Sequence, residues 1–147
     1  MASYKLKRVE ADDWGWPRWR RTSGHATIAP VRPTLLIVDD HPEFRTSASA
    51  LLEAEGFDVV GEAADGPGAI EAVDRLRPDV VLLDIQLPGL DGLSVAEQLA
   101  STPDPPAVVL ISSRDGAAYG PRLQHAAARG FIHKSKLSGE ALTALLE

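Results

Sequence analysis

The sequence has no cysteine and no long apolar run, and each absence excludes a class of protein. Without cysteine, the chain cannot form disulfides, thiolate metal sites or a cysteine nucleophile. Its longest apolar runs are four or five residues, whereas a membrane-spanning helix needs about 20. No charged start followed by an apolar stretch lies near Met1, so a secretory signal is not expected and a cytoplasmic protein is.

What remains is the composition of one globular domain with an uneven charge. The 147 residues include 44% hydrophobic and 24% charged residues, ordinary values that suffice for one domain with a core. The net charge of −6 hides a basic segment, residues 1–33, with seven Lys or Arg against three Asp or Glu. Residues 34–147 hold eight against eighteen, and so acidic a body is a poor binder of nucleic acid by itself.

Residues 1–33 are unlike the rest, because they lack a sustained apolar period and contain all three tryptophans, between Trp14 and Trp19. One interpretation is a basic and aromatic arm that contacts nucleic acid, an anionic membrane or a partner. The absence of periodicity instead favours a disordered leader, which is the prediction adopted here. Pro30 and Pro33 mark its boundary with a domain over residues 34–147.

From Thr34 onward, apolar strand patterns alternate with helical patterns. The five strand candidates are Thr34–Asp39, Asp58–Glu62, Val80–Asp84, Ala107–Ser112 and Gly130–Lys134. Each gap between them has room for one helix, which predicts βαβ units and a parallel sheet. The unbroken run Val80-Val81-Leu82-Leu83 suits a strand that is covered on both faces.

Proline, glycine and apolar spacing predict five helices. The first begins at Pro42 and ends at Gly56, the second lies between Gly66 and Pro78, and the third spans about Gly92–Ala100. The Gly120-Pro121 pair delays the fourth, which is predicted from near Pro121 to Ala128, and the last runs from Ser138 to Glu147. The predicted buried residues of the second helix are Ile70, Val73 and Leu76.

The predicted strands end in polar residues. These residues are Asp39-Asp40, Asp84, Ser112-Ser113 and His133-Lys134. Parallel strands bring such ends to one edge of the sheet, where carboxylates repel one another unless a cation intervenes. Oxygen ligands without cysteine or paired histidine favour Mg²⁺, and a lysine with a hydroxyl suits a phosphoryl group. His41, His125 and His133 lack metal-ligand spacing and are expected to be surface histidines.

In the same order and spacing, the chain resembles the response-regulator receiver domains of two-component signalling over roughly residues 34–147. The matching segments are Leu36-Ile37-Val38-Asp39-Asp40-His41-Pro42, Val80-Val81-Leu82-Leu83-Asp84-Ile85-Gln86-Leu87-Pro88-Gly89-Leu90-Asp91-Gly92, Val109-Leu110-Ile111-Ser112 and Gly130-Phe131-Ile132-His133-Lys134. The Asp-Asp-His-Pro opening looks most like receivers joined to helix-turn-helix output domains. The resemblance implies an α/β, flavodoxin-like, doubly wound five-stranded parallel sheet of order 2-1-3-4-5 with five helices.

The resemblance also implies a role for each site residue. Asp84 would accept a phosphoryl group from a histidine kinase's phosphohistidine or a phosphotransfer protein, and Lys134 would pair with the acyl phosphate. The Mg²⁺ cofactor would be held by Asp39, Asp40, Asp84 and the backbone carbonyl of Gln86. Ser112 would be the switch hydroxyl and Phe131 the switch aromatic. The implied partners are the kinase and a downstream protein, with a homodimer as a further option, and neither a membrane nor nucleic acid is expected as a partner of this chain.

Three departures from the family pattern keep other functions open. Ser135 stands where most receivers have a cis proline, Phe131 lacks the hydroxyl of the commoner tyrosine, and Gly120-Pro121 interrupts the fourth helix. A receiver-like interaction module without phosphotransfer is therefore the alternative. An aspartyl-phosphate phosphatase ranks last because it needs an acid where this chain has Gln86. A DNA-binding regulator is disfavoured because no output domain follows Glu147, unless the chain was truncated.

Overall fold

A computed structural model describes residues 3–6 and 32–147, which are organised around a six-stranded sheet. The strands are β1 (Ser3–Lys5), β2 (Thr34–Val38), β3 (Asp58–Ala63), β4 (Val80–Asp84), β5 (Ala107–Ser112) and β6 (Gly130–His133). Strands β4 and β5 consist of aliphatic residues up to their last positions, Asp84 and Ser112, and every residue of these two strands is buried. The five predicted strands are confirmed to within a residue or two at their ends.

The sheet order is β3-β2-β4-β5-β6-β1, and strands β2 to β6 are all parallel. Counted from Thr34, this is the predicted order 2-1-3-4-5, so the flavodoxin-like fold is confirmed. The five-stranded prediction lacked β1, which pairs antiparallel with β6 in the register Tyr4↔Phe131. Three residues are too few to show a period, so the sequence pattern could not reveal this strand. Residues 7–31, including the tryptophans, lie outside the described part of the chain.

Five helices connect or follow the parallel strands. They are α1 (Pro42–Ala54), α2 (Gly66–Leu76), α3 (Gly92–Ala100), α4 (Pro121–Gln124) and α5 (Gly139–Leu146). Side chains cap three of them in the expected way, since Asp65, Asp91 and Ser138 accept backbone N–H bonds at the starts of α2, α3 and α5. Within the described residues no helix has the length and apolarity that crossing a bilayer requires.

Two details of the helical prediction were wrong. Helix α4 ends at Gln124 rather than Ala128, and Gly120 before it has a positive φ of 61° that breaks the chain direction. In α2, Ile70 and Leu76 are only partly buried, while Ala69 and Ala72 join Val73 in the core. The small alanines let the helix pack close to the sheet, an effect that a count of large apolar residues does not capture.

Helices cover both faces of the sheet and leave its carboxyl-end edge open for polar groups. Helices α1 and α5 pack on one face, against a cluster that includes Leu35, Ile37 and Leu82. Helices α2, α3 and α4 pack on the other face, against a cluster that includes Leu36, Leu83 and Phe131. The side chains along each strand alternate between these two clusters. Because the strands are parallel, the residues that follow their carboxyl ends converge at one edge between the helical layers.

Candidate functional site

Asp84 is the last residue of β4, and its carboxylate is almost wholly buried, with 1% of the residue exposed. Its Oδ1 accepts a hydrogen bond from the backbone N–H of Gln86 at 3.0 Å, and its Oδ2 lies 3.1 Å from Nζ of Lys134. The chain returns tightly at Gly92, where a Cβ would overlap the carbonyl oxygen of Asp84. The Gln86 N–H and Lys134 therefore orient the Asp84 carboxylate, and the start of α3 packs directly against the Asp84 backbone.

Asp39 and Asp40 follow β2 and differ in exposure. Asp39 is completely buried, and its Oδ1 accepts the backbone N–H of His41 at 2.8 Å while its Oδ2 lies 2.6 Å from Nζ of Lys134. Asp40 is exposed, and its Oδ1 lies 3.1 Å from Nδ1 of His41. The buried acid is thus fixed by the turn before α1, and the exposed one remains accessible to a ligand from solvent.

Lys134 reaches these acids from the end of β6, which β5 separates from β4. It begins a short turn, Lys134–Lys136, after β6, and only 15% of its side chain is exposed. Its ammonium bridges Asp39 and Asp84 and lies 4.5 Å from the centre of the Phe44 ring on α1. A cation over an aromatic face gains further stabilisation, so Phe44 helps to hold the ammonium between the two acids.

The turn after Lys134 is ordered without the cis proline of the resembled family. The described residues contain no cis peptide bond. Instead, the ring of His133 accepts the backbone N–H of Ser135 through Nδ1 at 3.2 Å, and its Nε2 lies 2.9 Å from the carbonyl oxygen of Ser113. His133 therefore joins the ends of β5 and β6, a contact that the expectation of a surface histidine had not included.

Burial and neighbouring charges give the two buried acids different proton affinities. Burial raises the pKa of Asp84 to about 6, with the charge of Asp39 adding to the effect and Lys134 opposing it. Burial also acts to raise the pKa of Asp39, but hydrogen bonds from Lys134 and from the backbone of His41 outweigh it and lower the pKa. Asp39 therefore holds a proton less readily than Asp84 does.

The acidic residues offer oxygen donors in one small volume. One ligand atom each from Asp39, Asp40, His41 and Asp84 lie within 4.8 Å of one another. Three carboxylates form the oxygen-rich set that Mg²⁺ prefers, and the exposed Asp40 leaves a path from solvent. The position of His41 beside this cluster was not predicted, since its spacing from the acids is not that of a helical metal-binding pair.

Ser112 and Phe131, the two predicted switch residues, are buried on the adjacent strands β5 and β6, and each contacts a tyrosine. The Ser112 hydroxyl oxygen lies 2.5 Å from the Tyr119 hydroxyl and accepts the backbone N–H of Arg114 at 3.0 Å. The ring of Phe131 packs against Tyr4, with 5.5 Å between ring centres. Neither tyrosine was predicted, because each comes from a segment without a periodic pattern.

The structure thus brings the buried carboxylates and the lysine into direct contact. Asp39, Asp84 and Lys134 share hydrogen bonds or ion pairs, with Asp40 at the edge of the group. Ser112 stands at the end of the strand next to β4. Gln86 contributes its backbone N–H to Asp84. The arrangement combines a buried carboxylate, clustered oxygen donors of the kind that a divalent cation takes and a fixed positive charge.

Comparisons with known proteins agree with this geometry. Residues 35–147 match the family described as Response regulator receiver domain. The transcriptional regulatory protein NarL of Mycobacterium tuberculosis is 38% identical over 119 residues, which are 80% of this chain and 55% of NarL. The chain therefore spans about half the length of the curated relatives it matches.

Two solved structures are similar in both fold and sequence. The signal receiver domain of NarL from Mycobacterium tuberculosis has a TM-score of 0.70 and 39% identity, and the match covers 80% of this chain and 95% of that one. The beryllofluoride-activated N-terminal receiver domain of RstA from Klebsiella pneumoniae has a TM-score of 0.64 and 33% identity over 76% of this chain and 94% of its own.

Proposed function

This chain belongs to the response regulator receiver domain family, and from that premise we propose that it is a signalling switch phosphorylated on Asp84. The observation that carries the proposal is the convergence of Asp39, Asp84 and Lys134 from three different strand ends, with the Lys134 ammonium 2.6 and 3.1 Å from the two carboxylates. Burying charged groups costs free energy, so folding alone does not explain why two buried acids and a lysine meet at one point.

The chemistry would be a transfer of a phosphoryl group from a phosphohistidine to Asp84. The Oδ2 oxygen of Asp84, which faces Lys134, forms the new O–P bond. The P–N bond to the donor imidazole breaks, and the leaving nitrogen retains its electron pair and takes a proton from solvent. The hydrogen bond from Gln86 N–H to Oδ1 fixes the carboxylate plane during this step. Such positioning together with charge neutralisation supplies most of the catalysis of phosphoryl transfer.

The residues present fit a magnesium ion. Asp39, Asp40 and Asp84 supply the clustered carboxylate oxygens, and the backbone carbonyl of Gln86 is the proposed fourth protein ligand. When bound, Mg²⁺ would neutralise charge on the phosphoryl oxygens and on the acids. Asp40, the exposed member, is proposed to ligate the ion directly, and Asp39, which also holds Lys134 in place, is proposed to ligate it mostly through water.

Lys134, Ser112 and Phe131 are proposed to respond to the phosphoryl group. Its oxygens would draw the Lys134 ammonium, which already contacts Asp84 Oδ2. The Ser112 hydroxyl would turn toward the same oxygens, and Phe131 would repack beside it on the neighbouring strand. The surface near α4 and β6 would then change its affinity for a downstream protein, while a histidine kinase or phosphotransfer protein would be the donor.

Phosphorylation with a small donor tests the proposal directly. Acetyl phosphate and Mg²⁺ should produce an acid-stable, base-labile adduct of one phosphoryl group on the full chain, detected by intact mass spectrometry. Asp84→Asn should abolish it, because the amide is not a nucleophile. Asp74→Asn, which removes an acid from the exposed surface of α2, should leave it unchanged.

The same experiment separates the switch from its rival. If the wild-type chain neither takes up a phosphoryl group nor binds Mg²⁺, the chain is a receiver-like interaction module and the proposal is wrong. If the adduct persists in Asp84→Asn, the site has been placed on the wrong residue.

A further inference from the structure

Strand β1 is attached to the part of the molecule that holds the two proposed switch residues. It pairs with β6 over Ser3↔Ile132 to Lys5↔Gly130, and the backbone N–H of Leu6 donates to the carbonyl of Arg129 at 3.0 Å. Leu6 is buried, with 7% exposed, and joins the cluster that contains Phe131. This short strand is therefore anchored by main-chain bonds and by one core side chain.

Tyr4 in the middle of β1 contacts both switch positions, one directly and one through a turn. Its ring packs on Phe131 with 5.5 Å between centres. Its hydroxyl lies so close to Gly116 that a Cβ there would overlap it. Gly116 begins the turn Gly116–Tyr119, and Tyr119 at the end of that turn hydrogen bonds Ser112 at 2.5 Å.

These contacts form one continuous series from the chain's N-terminal strand to the buried hydroxyl beside Asp84. The series runs through Tyr4, the turn Gly116–Tyr119 and Ser112, and its side branch is the Tyr4–Phe131 ring contact. The Ser112 hydroxyl oxygen is held by the Tyr119 hydroxyl at 2.5 Å and by the backbone N–H of Arg114 at 3.0 Å, so a side-chain rotation that carries this oxygen to a phosphoryl oxygen breaks its contact with Tyr119. One arrangement therefore excludes the other.

We infer that Tyr119 and Tyr4 are positioning residues that hold Ser112 in the arrangement turned away from Asp84. We further infer that β1 restrains Ser112 through them, and that its pairing with β6 weakens when Asp84 is modified. This rests on the proposed function of Asp84. In the unmodified protein β1 seats the turn, the turn presents Tyr119, and Tyr119 retains Ser112. When Ser112 turns to the new oxygens, Tyr119 loses its partner and the turn loses part of what fixes it under Tyr4.

Thermodynamic linkage makes this inference quantitative. If loosening β1 raises the affinity of the site for a phosphoryl mimic by some factor, then binding of the mimic must loosen β1 by the same factor. The contact that must break is the single hydrogen bond between Ser112 and Tyr119, so the factor should be about three to ten. A strand that only adds stability would show no such reciprocity.

Four full-length variants test the series at separate points. Tyr119→Phe removes only the hydroxyl that holds Ser112, and Tyr4→Phe removes only the hydroxyl on Gly116. Tyr4→Ala also removes the ring on Phe131. Lys5→Ala is the matched control, because Lys5 lies on the same strand and, among residues 3–6 and 32–147, its ammonium contacts the exposed carbonyl of Glu147 at 3.4 Å and neither of the switch positions.

The first measurement is the affinity for beryllofluoride in the presence of Mg²⁺, followed by fluorine NMR. Tyr119→Phe and Tyr4→Ala should bind about three- to tenfold more tightly than wild type, Tyr4→Phe should fall between them and wild type, and Lys5→Ala should match wild type. The second is amide hydrogen exchange of the peptide that contains residues 3–6, which should speed up by a similar factor when wild type binds beryllofluoride.

The outcomes distinguish this inference from the proposed function. Suppose that wild type binds beryllofluoride but Tyr119→Phe binds it with unchanged affinity, or that hydrogen exchange in residues 3–6 does not respond. The inferred restraint of Ser112 by β1 is then refuted, and the phosphorylation site stands. If wild type binds none and Asp84 takes up no phosphoryl group, both fail together. Tyr119→Phe loses one oxygen atom at a partly buried position, so it decides the matter even if Tyr4→Ala is unstable.

Discussion

Asp84 illustrates how one residue can be unfavourable for folding and useful for chemistry. Its carboxylate is nearly without solvent contact, and burial raises its pKa to about 6. The ionised side chain is therefore kept in a place where it is poorly solvated, with only Gln86 N–H and the shared Lys134 ammonium to compensate. A carboxylate in that condition gains when a cation or a phosphoryl group arrives.

The first prediction concerns this residue in the absence of metal. The pKa of Asp84 is 3.8 in the unfolded chain and about 6 in the folded protein, so between these pH values the folded state binds more protons. The free energy of unfolding therefore falls as pH rises through this window, and the loss is complete above it. Asp84→Asn should therefore raise the free energy of unfolding by about 1–3 kcal/mol at pH 8 in EDTA. Urea unfolding should show the gain shrinking toward pH 4, and Asp74→Asn should show no comparable gain.

At this same scale, the sequence predicted the charged residues of the site but not their aromatic neighbours. Asp39, Asp84 and Lys134 end parallel strands, and parallel strand ends meet at one sheet edge, so their contact could be inferred before any coordinates. Tyr4 and Tyr119 reach Phe131 and Ser112 from a three-residue strand and a single turn. Segments so short have no hydrophobic period, and their partners depend on the packing of the whole chain.

Among the elements, α3 and α4 are joined by one side chain with two tasks. Asp91 caps α3 by accepting the backbone N–H of Ser94 at 2.9 Å through Oδ1, and its Oδ2 pairs with Arg122 of α4 at 2.9 Å. Burial acts to raise the pKa of Asp91, but the bonds from Arg122 and Ser94 outweigh it and lower the pKa. With only four residues, α4 depends on such outside contacts for its place.

The second prediction separates these two tasks. Asp91→Ala should cost about 1 kcal/mol or slightly more, since an N-cap is worth about that much, whereas Arg122→Ala should cost under about 0.5 kcal/mol because the ion pair is exposed. Because the folded pKa of Asp91 is lowered, its contribution is present above the unfolded value and is lost as pH falls through the folded one. Equal losses in the two variants, measured by urea unfolding at neutral pH, would contradict the assignment of the cap.

For elements, prediction succeeded wherever period and punctuation agreed. Helix α3 begins at Gly92 and ends at Ala100 as expected, because a capping aspartate precedes a clear apolar stripe. Helix α4 ends before the alanines at 126–128. Alanine favours a helix, but these three residues are buried in the core as irregular chain. Tertiary packing overrode local propensity there.

On the scale of the whole molecule, binding of Mg²⁺ should be visible as added stability. A ligand that binds only the folded state adds about 2.7 kcal/mol to the free energy of unfolding at one hundred times its Kd. Thermal unfolding of wild type should therefore shift upward with Mg²⁺ at constant ionic strength. Asp40→Ala should lose most of this shift, since it removes a proposed ligand that is exposed and lies outside the core.

The variant is informative because of its exposure. Asp39→Ala would also remove the partner of Lys134 and leave a buried ammonium with one acid, so it would confound metal binding with folding. Asp40→Ala in EDTA should unfold close to wild type, which isolates the ligand effect. A full Mg²⁺ shift in that variant would contradict the proposed ligand set.

The five-stranded parallel part of the fold could be predicted from the sequence, because five βα units in order leave few alternatives. Right-handed crossovers and strand ends on one edge fix the topology once the strands are found. The sixth strand lay beyond that reasoning, since β1 runs antiparallel and precedes the repeating pattern by nearly thirty residues. Composition of residues 1–33 indicated only that most of the segment differs from the domain.

That added strand changes the character of β6. Open parallel sheets end in a row of unpaired amides and carbonyls that can capture a strand from another molecule. Here β1 covers that row, so the apolar Phe131 and Ile132 belong to an interior strand rather than a rim. A shortened protein that starts after Leu6 would leave the outer edge of β6 unpaired. Its tendency to aggregate at high concentration would measure how far the first few residues protect this edge from pairing with another molecule.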